Sequence, residues 1–262
     1  MFDQPLREQH LTLPPNPADP NPSAHPKVSC YYYPDLMVKE VDLEGLKGAG
    51  QLSMVTLRKG QAEPACRREN IDGETVIRDW SGYFRGVRQG YVFFDGSDGA
   101  NGGRPFAVYD SAGDGKIFSD VAAPLLSVKP LLPPRDPELR PWYYHPLTLT
   151  YRKFYVAPCS MRSDATHCWA MIKQATGLTK ATMPDCDAAY GVEEKGLSAE
   201  QREDLRSDPS VITYVVEAVI DGQGVAHITP QSSALKCFPA DTPASRFGYA
   251  AHKGRIAPGH GR

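Results

Sequence analysis

Three groups of residues have side chains suited to chemistry. The first lies in YVFFDGSDGANGGRPFAVYD, where Asp95, Asp98 and Asn101 offer oxygens of the kind Ca²⁺ takes. The spacing argues against such a site. An EF-hand loop needs acids or amides at positions 1, 3 and 5, glycine at 6 and glutamate at 12; counted from Asp95, positions 3, 5 and 12 are Ser97, Gly99 and Phe106. Asp, Asn and Gly are also the residues that accept left-handed turn geometry, so the stretch reads as a turn between two strands. A small-ligand or partner loop is the remaining alternative. The second group is RPWYYHPL, in which Trp142, Tyr143, Tyr144 and His145 could line a sugar or peptide groove. Its simpler reading is a loop whose aromatic rings pack on a sheet. The third group is the six cysteines, Cys30, Cys66, Cys159, Cys168, Cys186 and Cys237. They are even in number and contain no C-x-x-C pair. That spacing disfavours zinc and favours structural disulfides.

Catalytic fingerprints are absent. The chain has no G-x-S-x-G, no Walker A loop, no H-E-x-x-H, and no G-x-G-x-x-G between a strand and a helix. No cofactor or metal is therefore expected. A dispersed triad or carboxylate pair needs no motif, so the enzyme reading is lowered rather than removed. The formal net charge of -2 gives no general attraction to nucleic acid or anionic lipid.

The elements that position these groups are mainly strands. Glycine and proline number 23 and 24 in 262 residues, which suits short strands and many turns. CYYYPDLMVKEVDL, QLSMVTL, YVFFD, FAVYD, KIFSD and LTLTYRKFYVA read as strands, with CWAMIK as a returning strand. ITYVVEAVIDGQGVAHIT reads as a hairpin around Asp221 to Gly224. One short surface helix is expected near 199–207, with Ser198 as its cap, Gln201 completing a capping box and Pro209 beyond its end. FAVYDSAGDGKIFSD resembles the strand–turn–strand unit of a β-propeller blade over about 15 residues. Patterned segments near 31–57, 147–173 and 212–237 share no fixed period. The resemblance implies a meander architecture and assigns no family.

The fold expected is all-β, of mostly antiparallel meanders, propeller-like or sandwich. Residues 1–28 read as a proline-rich flexible leader and 29–243 as a single all-β domain. Within it, sub-units 29–123 and 147–243 are joined by a proline-rich crossover at 124–146. The segment 244–262 reads as a basic flexible tail. CSMRSDATHC invites a Cys159–Cys168 staple across an exposed hairpin loop. Cys30–Cys66 and Cys186–Cys237 are the preferred remaining pairs, and a link from Cys30 to the far end of the chain stays open. Disulfides imply an oxidising compartment. MFDQPLREQH has no apolar core of a signal peptide, so the chain is expected as a mature form with its signal removed. No apolar run is long enough to cross a membrane as a helix. The functional expectation is a periplasmic or secreted protein that binds another protein or an envelope component without catalysis, of the inhibitor, immunity or envelope-accessory kind. The alternative is a hydrolase of cell-wall or extracellular glycan with a groove near Trp142 to His145.

Overall fold

The computed structural model describes residues 2–15, 25–43, 48–58, 60, 62–97, 103–112, 115–130, 146–232, 234–240 and 242. Antiparallel strands dominate, as the sequence pattern predicts. A five-stranded sheet follows chain order: β1 (Arg7–Thr12), β2 (Lys27–Tyr32), β3 (Leu36–Asp42), β4 (Gln51–Thr56) and β5 (Glu74–Ile77). A second sheet contains β6 (Gly82–Arg88), β7 (Tyr91–Gly96), β8 (Arg104–Asp110), β9 (Lys116–Pro130), β10 (Leu147–Val156), β11 (Ser210–Ile220) and β12 (Ala226–Pro230). Its order is β12-β11-β10-β9-β8-β7-β6, and β13 (Lys236–Pro239) adds to β11. Three helices, α1 (Ala165–Thr176), α2 (Asp187–Glu193) and α3 (Ala199–Ser207), lie between β10 and β11.

The period-2 alternation sorts the core into layers. In β7 and β8, Val92, Phe94, Ala107 and Tyr109 point to one face. There they meet Leu36, Val38, Leu52 and Met54 of the first sheet in a shared buried layer. Tyr91, Phe93, Phe106 and Val108 point to the other face, toward Leu149, Tyr214, Trp169 and Ile172. Tyr91 to Phe94 are apolar in succession because both faces of the strand are covered. The outer face of the first sheet buries Val28, Tyr32, Met37 and Val55 beneath the segment that follows β4.

Lys39 lies fully buried on that outer face. Its Nζ donates to Glu74 Oε2 at 2.9 Å and to the Glu69 carbonyl at 3.0 Å. Glu74 also accepts the Ile71 N–H at 2.7 Å and Gln51 Nε2 at 3.1 Å. Burial opposes the charge on Glu74, but the Lys39 and Ile71 hydrogen bonds outweigh it and hold its pKa below the ordinary carboxylate value. The pair pins residues 68–74 across the sheet.

Four differences from the sequence-based expectation have clear physical causes. Arg7–Thr12, expected within a leader, is an edge strand paired in register with β2 from Arg7–Tyr32 to Thr12–Lys27. Only the proline-dense stretch after it fits the leader composition. CWAMIK is part of α1 and does not return as a strand. The apolar residues Ala165, Cys168, Trp169 and Ile172 are spaced for one helical face. Asp164 caps the start by accepting the His167 N–H, and Gly177 closes the end at φ 73°. The loop between Cys159 and Cys168 is accordingly no hairpin. Ser160 and Met161 are buried, whereas Arg162, Ser163 and Asp164 are exposed. Helix α2 was not expected either; its seven residues carry little periodic signal. Helix α3 has the predicted bounds and the Ser198–Gln201 capping box. The 221–224 hairpin turn closes through Gly224 N–H to the Asp221 carbonyl.

All six cysteines pair, as Cys30–Cys66, Cys159–Cys168 and Cys186–Cys237. Cys30–Cys66 ties the post-β4 segment to β2. Cys159–Cys168 fixes the entry to α1, and Cys186–Cys237 ties the start of α2 to β13. Three disulfides point to an oxidising, extracellular compartment. Among the described residues no helix is long and apolar enough to cross a membrane.

Candidate binding clefts at the end of the first sheet

The hairpin from β2 to β3 turns on Pro34 and Asp35, with Tyr33 N–H bonded to the Leu36 carbonyl at 2.7 Å. Proline suits this tip because its φ is preset for a turn. Residues 2–6 cross over it as a strap. Phe2 packs on Phe93 with ring centroids 5.1 Å apart. Asp3 N–H bonds the Val87 carbonyl at 2.8 Å, and its carboxylate accepts from Arg88 and from Gln89 N–H. Leu6 N–H then bonds the Tyr32 carbonyl at 2.7 Å and leads into β1. The strap therefore holds both sheets.

Two adjoining clefts result, with Leu6 as the wall between them. The first, of about 330 Å³, is lined by Asp3, Leu6, Tyr33, Asp35, Leu36 and Val87, among others. The second, of about 370 Å³, includes Leu6, Tyr33, Leu57, Arg58, Glu63 and Asp72. Leu6 is 70% exposed, which is high for a leucine held by backbone hydrogen bonds. The wall of the second cleft is anchored by Cys66, by Tyr32 OH donating to the Pro64 carbonyl at 2.9 Å, and by Arg7. Arg7 pairs with Glu63 at 2.8 Å and lies 4.0 Å over the Tyr32 ring. Among the described residues, Asp35, Arg58 and Asp72 have no ion-pair partner and stand at the rims. Burial, with Asp3 and Glu8 adding repulsion, raises the Tyr33 phenol well above its ordinary pKa, so it is a neutral hydrogen-bonding group. The clefts thus offer apolar contact, a phenol and solvated charges. Among the described residues that line them, no nucleophile is set against a base.

The residues singled out from sequence are scattered. Asp95 sits at the end of β7 with its carboxylate 2.6 Å from Arg85 and 3.7 Å from Arg104. A cation there would have to displace two guanidinium groups. Asp98, Asn101 and the cluster Trp142, Tyr143, Tyr144 and His145 lie outside the described residues. Among the described residues no group of three or more His, Cys, Asp or Glu side chains could hold a metal ion.

One arrangement invisible in the sequence is a hydroxyl–imidazole–carboxylate string. Ser29 Oγ lies 2.9 Å from His10 Nδ1, and His10 Nε2 lies 3.5 Å from Glu8. Its register explains it: Ser29 and His10 are directly opposed on β2 and β1. The N–H groups of β2 are engaged by ladders on both sides, which leaves none to stabilise an oxyanion. The string stands at the exposed β1 edge of the face that the first sheet turns toward the second, outside both clefts. The pairing of residues 19 positions apart could have been found only by first assigning β1. Compared with protein-family models, with curated proteins and with solved structures, the chain matches none of them.

Proposed function

We propose that this is a periplasmic or secreted binding protein without catalytic activity, which engages another protein or an envelope component through the paired clefts around Leu6. The observation that carries this reading is an exposed apolar wall between two clefts whose sides are fixed in advance by a disulfide, a strap and a hairpin turn. An exposed leucine on a rigid frame suits recognition, because little conformational entropy is lost on binding. The polar groups of the clefts would contribute orientation and rim contacts. The lack of an activated nucleophile in the clefts favours binding over turnover. The inhibitor, immunity-type and envelope-accessory roles are all compatible with such a surface.

The test is retention of a component on the immobilised, fully oxidised protein from envelope or secreted fractions, with the retained component then analysed for chemical change. An intact, saturably bound component supports the proposal. Release of a hydrolysed glycan product would instead favour the hydrolase reading.

A further inference from the structure

Glu40 is a carboxyl group in the layer shared by the two sheets. It lies on β3 on the same face as Val38, largely buried, and its Oε2 accepts the Phe84 N–H of β6 at 2.6 Å. Strand β6 is the edge of its sheet, so this N–H would otherwise lack a partner. Among the described residues, the connection from β3 to β4 adds two polar ties to β6: Ala49 N–H to the Gly82 carbonyl and Gly48 N–H to the Tyr83 hydroxyl. Among the described residues no ion pair reaches Glu40. On β3, Asp42 follows on the same face and adds repulsion. On β2, Ser29 is opposite Glu40, Tyr31 stacks on Phe84, and Lys27 is opposite Asp42. On β1, His10 and Glu8 lie beyond Ser29. On β4, Leu52 is opposite. On β6, Arg85 is committed to Asp95, and Tyr83 accepts from Gly48.

We propose that Glu40 is a pH-sensitive latch between the sheets: neutral, it lets β3 close on β6; ionised, it loosens that contact. A neutral carboxyl keeps its carbonyl oxygen for the Phe84 N–H, so protonation removes the buried charge without losing the tie. Burial is the main cause that lifts the Glu40 pKa to about 7; Asp42 adds to it and the Phe84 hydrogen bond opposes it. The closed layer therefore binds a proton that the opened layer releases between pH 4.5 and 7. Opening becomes easier as pH rises through that window and levels off above it. Leu36 of β3 and Val87 of β6 also line the first cleft, so the latch acts on the wall of the proposed binding surface.

The experiment follows hydrogen exchange of the Phe84 amide in the full oxidised chain from pH 4 to 8.5, corrected for intrinsic exchange, with carbon-13 titration of the Glu40 carboxyl. The Phe84 opening constant should rise by a factor on the order of 100 between pH 4.5 and 7 and then flatten. Glu40→Gln, which keeps an acceptor for Phe84, should remove the rise. His10→Asn should leave it in place. A Glu40 midpoint near 4.5, a change below threefold, or a rise that survives Glu40→Gln or vanishes in His10→Asn would each overturn the latch. If Glu40→Gln fails to fold, the wild-type carboxyl midpoint decides. None of these readings uses a partner, so failure of the latch is separate from failure of the binding proposal.

Discussion

Replacing Lys39 by methionine should lower stability by about 3–5 kcal/mol, the usual result of removing one partner from a buried ion pair. Lys39 and Glu74 side chains are 0% and 1% exposed, so water cannot replace what is lost. Glu74 would keep the Ile71 N–H and Gln51 but lose its counter-ion, leaving a buried charge. The Glu69 carbonyl would lose its donor as well. Methionine fills nearly the same volume, so a cavity contributes little. The double change Lys39→Met with Glu74→Met should recover part of the loss, because no unpaired charge then remains. Recovery should be incomplete, since the Glu69 carbonyl and the Ile71 N–H stay without their side-chain partners. Urea unfolding of the oxidised proteins at pH 7 measures all three variants. A loss below about 1 kcal/mol for Lys39→Met, or a double variant worse than the single one, would refute the argument that this pair is dry and charge-compensated.

Glu74 also gives a pH effect of opposite sign to Glu40. Its folded pKa is lowered, so its stabilising share is present above its unfolded pKa and is lost as pH falls through the folded value. Lys39→Met should weaken this acid-side loss in pH-dependent unfolding. Cys159→Ser with Cys168→Ser removes a staple of nine-residue separation and should lower stability by about 2.5 kcal/mol in the chain-entropy model; thermal and urea unfolding check it. Gly82→Ala should prevent correct pairing of β6 with β7, because an added Cβ would lie 1.7 Å from the Asp95 carbonyl oxygen; loss of the native amide spectrum is the expected result. Ca²⁺ or a chelator should leave the melting temperature unchanged, because Arg85 and Arg104 hold Asp95; a chelator-induced drop of several degrees would contradict this.

β4, β7 to β12 and α3 were legible because their signals are local, whereas β5, β6 and β13 are short or glycine-interrupted and carry little pattern. YVFF and FAVY are apolar on both faces between turn residues, and Ser198 with Gln201 spells a capping box. Helix α1 was legible in part: Asp164, Gly177 and the 165–168–169–172 spacing mark it, but CWAMIK is also apolar enough for a strand. The reading of β1 failed because proline dominates the composition on both sides of REQHLT, and an exposed edge strand has few apolar residues to announce it. The clefts were beyond reach for a different reason. They arise where residues 2–6 cross the Pro34 turn, and the contacts Asp3–Arg88 and Phe2–Phe93 join positions more than 80 apart. Glu40 likewise becomes unusual only once β6 is laid over it.

The most direct measurement of the binding claim compares wild-type protein with Leu6→Asp as immobilised baits, followed by titration of whatever intact component the wild type retains. Leu6 is mostly exposed, so the substitution should change stability by no more than about 0.5 kcal/mol, which thermal unfolding verifies. Saturable binding to the wild type and an affinity at least tenfold weaker for Leu6→Asp are expected. Equal affinity for the two baits, or conversion of the retained component into product by both, would contradict the binding claim.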